Sequence, residues 1–153
     1  MALSLYDFSI PGLILGLTNM SAILDKAIAH AAAKKIDEQV HLGFDLSNVK
    51  NTPIPAANDG KIVWAERLGI YGNCIVVDHG YSLQSIYGHL SSIAVKEGDL
   101  VKRGQEMGKS GSTGLAGGDH LHYSMQVEGV EVNPVEWWDA HWIKDHVQDR
   151  LKR

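Results

Sequence analysis

From about residue 40 onward the chain never runs long without a turn signal, and that limits what it can fold into. Lys61 to Glu66, Gly72 to Asp78, Ser82 to Tyr87 and Leu121 to Val127 are short apolar runs with a strand-like period. Asn51-Thr52-Pro53, Pro55, Asp59-Gly60 and His79-Gly80-Tyr81 interrupt them. Segments of this length joined by tight turns predict a mainly β protein with antiparallel pairing. Ser82 to Tyr87 is expected to fold back on Gly72 to Asp78 as a hairpin around His79-Gly80-Tyr81.

Histidine placement on these strands is not random. Gly117-Gly118-Asp119-His120-Leu121-His122-Tyr123 puts two histidines two residues apart at the start of a strand. Strand side chains alternate faces, so His120 and His122 point one way and Leu121 and Tyr123 the other. Val40 to Leu46 alternates as well, placing His41, Gly43 and Asp45 on one face with an open notch at Gly43. Ile86 to Leu90 carries His89 at a strand end. Together His41, Asp45, His89, His120 and His122 offer more than the three protein ligands of a catalytic zinc, and the surplus suits proton transfer.

HLGFD, YGHL and HLH, in that order, resemble the signature of the lysostaphin/LytM-type zinc endopeptidases, which cut peptidoglycan peptides. The resemblance runs from about residue 40 to 143 and includes IYGNCIVVDHG, VKEGDLVKRGQEMGKSGSTGLAGGDHLHY and NPVEWWD. It implies a twisted antiparallel β-sheet of the duplicated-hybrid, barrel-sandwich-like type. It also implies Zn2+ held by His41, Asp45 and His122, with His89 and His120 as catalytic histidines. The implied substrate is a peptidoglycan peptide, in stem or cross-bridge, and the implied location is outside the cytoplasm. Two other classes are weighed: a catalytically weak or inactive LytM-like binding and activating module, and a histidine phosphocarrier of related architecture. The first would have lost polar site positions, and all five are present. The second needs no His-x-His metal pair.

Several features have plainer readings. Gly98-Asp99 and Gly104-Gln105 resemble the turns of a hammerhead that biotinyl and lipoyl domains share, which argues for architecture and not for cofactor attachment. Gly108 to Gly114 lacks the order of a phosphate loop and opens no helix. His79 is expected to be structural, Asp119 either orients an imidazole or builds a turn, and His30, His141 and His146 receive no role. The lone Cys74 cannot form an intramolecular disulfide and reads as a small buried side chain. Trp137, Trp138 and Trp142, on a short C-terminal helix, are expected to pack.

The first 38 residues read differently. Ile10, Leu13, Ile14, Leu17, Ile23, Leu24, Ala27, Ile28 and Ala31 recur near the helical period behind Ser9 and Pro11, predicting a long amphipathic α-helix over about 11–36. This stretch resembles the opening helix of an uncharacterised family of helical-bundle proteins, in place of the strand that the peptidases bring before their first histidine. The division is thus an amphipathic helical segment over 1–38 and a zinc endopeptidase domain over 39–153, meeting at a junction near 38–40, natural or engineered. Burying each Leu or Ile of the stripe is worth about 1.5–3 kcal/mol, so the helix must cover the β-domain or pair with copies of itself. Homo-oligomerisation through this helix is the expectation.

Composition adds exclusions. A chain of 153 residues with net charge −4 carries no basic footprint for nucleic acid. Met1 to Asp7 has no basic stretch and the apolar run 11–17 is short, so neither a signal peptide nor a membrane span is expected.

Overall fold

The structure is a computed structural model that describes residues 43–47 and 49–151. His41, the expected helix over 11–36 and the self-association and junction built on it lie outside the described residues.

Among the described residues ten strands follow one another: β1 (Phe44–Ser47), β2 (Pro53–Pro55), β3 (Gly60–Arg67), β4 (Asn73–Asp78), β5 (Leu83–Leu90), β6 (Ser92–Ile93), β7 (Leu100–Val101), β8 (Glu106–Lys109), β9 (His120–Val127) and β10 (Val130–Val132). Seven form an antiparallel sheet in the order β1-β9-β5-β4-β3-β7, with β10 also on β9, and β2-β8-β6 form a second sheet. The mainly β, antiparallel architecture is as expected. The four strands read from the sequence recur with shifts of a residue or so, apart from β5, which runs on from Tyr87 to Leu90. Helical turns at Ala140–Ile143, Lys144–Gln148 and Asp149–Leu151 close the described chain, capped by the Asp139 carboxylate, which accepts from the His141 and Trp142 amides. No described helix is long and apolar enough to cross a membrane.

The core lies between the sheets. Leu121, Tyr123 and Met125 of β9 meet Ile75, Val77, Tyr87 and Leu90 of β4 and β5, together with Ile54 and Met107 from the smaller sheet, all fully buried. Tyr87 and Tyr123 pack edge to face, and Trp138 stacks on Tyr123 and leans on Phe44, so this tryptophan packs as expected. Cys74 is buried, and burial pushes its thiol up to about 12.

Two four-residue turns, Lys96–Asp99 and Lys102–Gln105, repeat one design. Each closes with a backbone bond to its first residue (3.1 and 2.9 Å), and in each a side chain of the fourth residue accepts the first amide. Gly98 and Gly104 take the third position at φ 92° and 82°, where a Cβ would be strained.

His79 is tied into the β4–β5 hairpin. Its Nδ1 lies 2.7 Å from the Asp59 carbonyl and its Nε2 2.7 Å from Ser85 Oγ. Ser85 Oγ is 3.1 Å from the Tyr87 hydroxyl, which accepts the Ala57 amide at 2.9 Å. The carbonyl can only accept, so Nδ1 carries the proton and Nε2 accepts from Ser85. A neutral ring therefore satisfies the whole buried chain, which is the structural role expected of it.

Candidate functional site

The site grows from the register of β1 on β9. Asp45 stands opposite His122 and Ser47 opposite His120, while Phe44 and Leu46 pair with Tyr123 and Leu121. Directly opposed residues share a face, so Asp45, His120 and His122 project away from the core together. The Asp45 carboxylate lies 3.2 Å from His122 Nδ1 and 3.5 Å from His120 Nε2. His122 is buried, and Asp45 is open to solvent.

The notch at Gly43 has a use. A Cβ there would sit 2.6 Å from His122 Nε2 and 2.7 Å from its Cε1, so the imidazole occupies the space that a side chain would take. That packing turns the other ring nitrogen, Nδ1, toward Asp45. On the far side of β9, Gly88 pairs with His122 and leaves room for the Tyr71 ring, whose centroid lies 5.2 Å from that of His122.

His89 reaches the cluster by a different route. The β4–β5 register pairs Ile75 with Tyr87 but Asn73 with Leu90, so Gly88 and His89 stand opposite Cys74 alone. This is a β-bulge. His89 takes φ 63°, left-handed backbone that costs a non-glycine residue about 1–3 kcal/mol. Plain alternation would give His89 the face of Tyr87, in the core. The bulge instead sets Tyr87 and Leu90 both inward and brings the His89 ring to centroid distances of 4.7 Å from His120 and 5.7 Å from His122.

Each catalytic candidate is oriented by a backbone carbonyl. His89 Nδ1 lies 2.9 Å from the Thr113 carbonyl, and His120 Nδ1 lies 2.9 Å from that of Gly118. A carbonyl cannot donate, so both rings carry hydrogen on Nδ1 and present Nε2. Burial, opposed by the Thr113 carbonyl and reinforced by the neighbouring imidazoles, holds His89 below the usual histidine range. Among the described residues Asp119 bonds no imidazole. Its carboxylate accepts the Ser110 hydroxyl at 2.7 Å and anchors the loop.

Four of the five expected residues therefore converge: Asp45, His89, His120 and His122. Among the described residues no group of three or more His, Cys, Asp or Glu side chains has the arrangement of a metal cage, and His41, the third expected ligand, lies outside them. The donors that are described fit zinc, since a carboxylate oxygen faces an imidazole nitrogen held in place by Gly43. Tyr71 was not singled out in the sequence. It sits on a one-turn helix, Gly69–Tyr71, with its hydroxyl 3.5 Å from Glu131, and only its place in the IYGN motif marked it.

Residues 39–134 match the family model described as peptidase family M23. The chain belongs to peptidase family M23. A second model, described as a domain of unknown function (DUF1993), matches residues 5–49, so the two meet over 39–49. Among curated relatives of this M23 chain, the DD-carboxypeptidase/endopeptidase Mpg of Neisseria meningitidis serogroup B is 39% identical over 97 residues, covering 63% of this chain and 22% of that protein. The peptidoglycan DD-endopeptidase ShyA of Vibrio cholerae is 37% identical over 117 residues, covering 76% and 27%. The chain thus spans about a quarter of the length of such relatives. The catalytic domain of the antimicrobial peptidase lysostaphin from Staphylococcus simulans superposes with a TM-score of 0.64 at 34% identity, over 69% of this chain and 84% of that one.

Proposed function

We propose that this M23 chain is a zinc-dependent endopeptidase that hydrolyses peptide bonds of bacterial peptidoglycan. The observation that carries the reading is the convergence of Asp45 and His122 with two further imidazoles whose Nδ1 atoms are held by backbone carbonyls. Asp45 and His122, joined by His41, would hold the metal. Bound zinc supplies Lewis acidity, which acidifies water and polarises a peptide carbonyl.

The chain's own residues do the rest. Nε2 of His89 or His120 accepts the proton of the attacking water and passes it to the amine nitrogen as the C–N bond breaks. The carbonyls of Thr113 and Gly118 keep Nδ1–H in place throughout, so a ring protonated on Nε2 is an imidazolium. In that form it also stabilises negative charge developing on the carbonyl oxygen. Peptidoglycan lies outside the cytoplasmic membrane, so this reading puts the working site there.

The test is digestion of purified sacculi followed by mass spectrometry of the released fragments. The expected result is new peptide ends, each gained with one water. Binding to sacculi with no bond cleaved would replace the reading with that of a non-catalytic wall-binding module. Phosphorylation of a site histidine by a phosphodonor would replace it with a phosphocarrier.

A further inference from the structure

Thr113 holds the bulge of β5 from three directions. Its carbonyl accepts His89 Nδ1–H at 2.9 Å. Its hydroxyl donates to the Leu90 carbonyl at 2.8 Å, one residue beyond the left-handed His89, and accepts the Asn73 amide at 2.9 Å. Asn73 lies at the other edge of the bulge, and its side-chain amide donates to the same Leu90 carbonyl at 3.1 Å. A bulge interrupts the ladder and leaves polar backbone groups needing partners. Here one threonine and one asparagine supply them.

The surrounding chain is shaped to admit this contact. A Cβ on Gly72, itself at φ 65°, would collide with the backbone and hydroxyl of Thr113. A Cβ on Gly114, at φ 76°, would collide with the Ile70 carbonyl and the Gly72 amide. The Leu115 amide then bonds the Ile70 carbonyl at 2.8 Å, so loop 110–115 and turn 69–73 are locked together directly behind His89.

We infer that Thr113 is a positioning residue. Its hydroxyl stabilises the strained backbone of His89 while its carbonyl selects the tautomer that presents Nε2 to the substrate. The inference rests on the reading of His89 as a catalytic group, but part of its test does not depend on activity. In the zinc-loaded protein, 15N NMR of histidine-labelled chain should show His89 as the Nδ1–H tautomer. A parent protein with His89 protonated on Nε2 alone would overturn the inference with no variant made.

Thr113→Val keeps the branched shape and removes both hydroxyl bonds, and Thr113→Ser restores them. Thr113→Val should lower kcat about 10-fold, within what misplacing a catalytic group costs, with KM within about twofold and zinc content unchanged. It should also show mixed His89 tautomers, and Thr113→Ser should recover most of kcat. Parental kcat and parental His89 signals in Thr113→Val, or a serine variant no better than the valine one, would contradict it. His89→Ala turning over like the parent would instead remove the endopeptidase role of His89 and leave the tautomer result standing.

Discussion

β9 delivers His120 and His122 by keeping the strand alternation, whereas β5 delivers His89 by breaking it. On β9 every odd residue from Leu121 to Met125 enters the core, and the histidines occupy the opposite face by period alone. On β5 the same rule would bury His89 beside Tyr87, and a bulge with a left-handed histidine redirects it. The pair teaches that a regular strand can carry a metal-ligand pattern at no backbone cost, while a third group converging on it from a neighbouring strand is placed here at the cost of strain.

Side-chain chemistry gives the largest expected effect, and it should be blind to the difference in delivery. His89→Ala and His120→Ala should each lower turnover by roughly 10²–10⁴-fold while retaining zinc, the range for losing a proton-transfer group. Steady-state hydrolysis of a cross-linked muropeptide checks this. If only one of them matters, the two strands do not feed one mechanism.

The regular half is sharpened by Gly43→Ala. The added methyl would land 2.6 Å from His122 Nε2 and push the ring off its orientation toward Asp45. Zinc affinity, read by competition with a chelating dye, should fall about 10–100-fold, as when other groups that orient a ligand are lost. Gly88→Ala, whose methyl would meet Tyr71 at 3.3 Å, should change it far less.

Backbone strain should invert the ranking of glycine and alanine between the two strands. At His120, in regular β9, the glycine variant should be less stable than the alanine variant by about 0.5–1 kcal/mol. At His89 the glycine variant should be more stable than alanine by about 1 kcal/mol, because only glycine takes φ 63° without strain. Urea unfolding of the four variants decides it. The same ranking at both positions would remove strain from the account.

Legibility followed the same division. The His-x-His pair, the Asp45 face and the Gly43 notch could be read because period two is written directly in residue order, and the register of β1 on β9 bears out that parity. The hammerhead turns could be read because glycine occupies the third position of each. The route of His89 could not, since a bulge is decided by the pairing of β5 with β4 and leaves no local pattern. Tyr71, Thr113 and Asn73 escaped notice for a related reason. Each acts across the fold, through partners 23 to 60 residues away for Thr113 and Tyr71.

The smallest effect lies at the opposite end of β5, where His79 sits as a structural counterpart to His89. Burial, only partly offset by the Asp59 carbonyl, lowers its pKa in the folded chain. The unfolded chain therefore takes up a proton near pH 6.5 that the folded chain refuses. This stabilisation is fully present above about 6.5 and declines as pH falls below it, by at most about 1.4 kcal/mol per pH unit for one proton. Thermal melts between pH 7 and 5 should show a steeper loss in the parent than in His79→Gln. Equal slopes would mean that the hairpin tolerates a charged ring.

Whether Asp45 and His122 hold a metal is decided by zinc stoichiometry, read by mass spectrometry of the purified chain and four variants. One zinc per chain is expected in the parent, His89→Ala and His120→Ala, and none after desalting in Asp45→Ala and His122→Ala. A parent that binds no zinc when supplied with it, or metal retained in full by Asp45→Ala and His122→Ala, would contradict it.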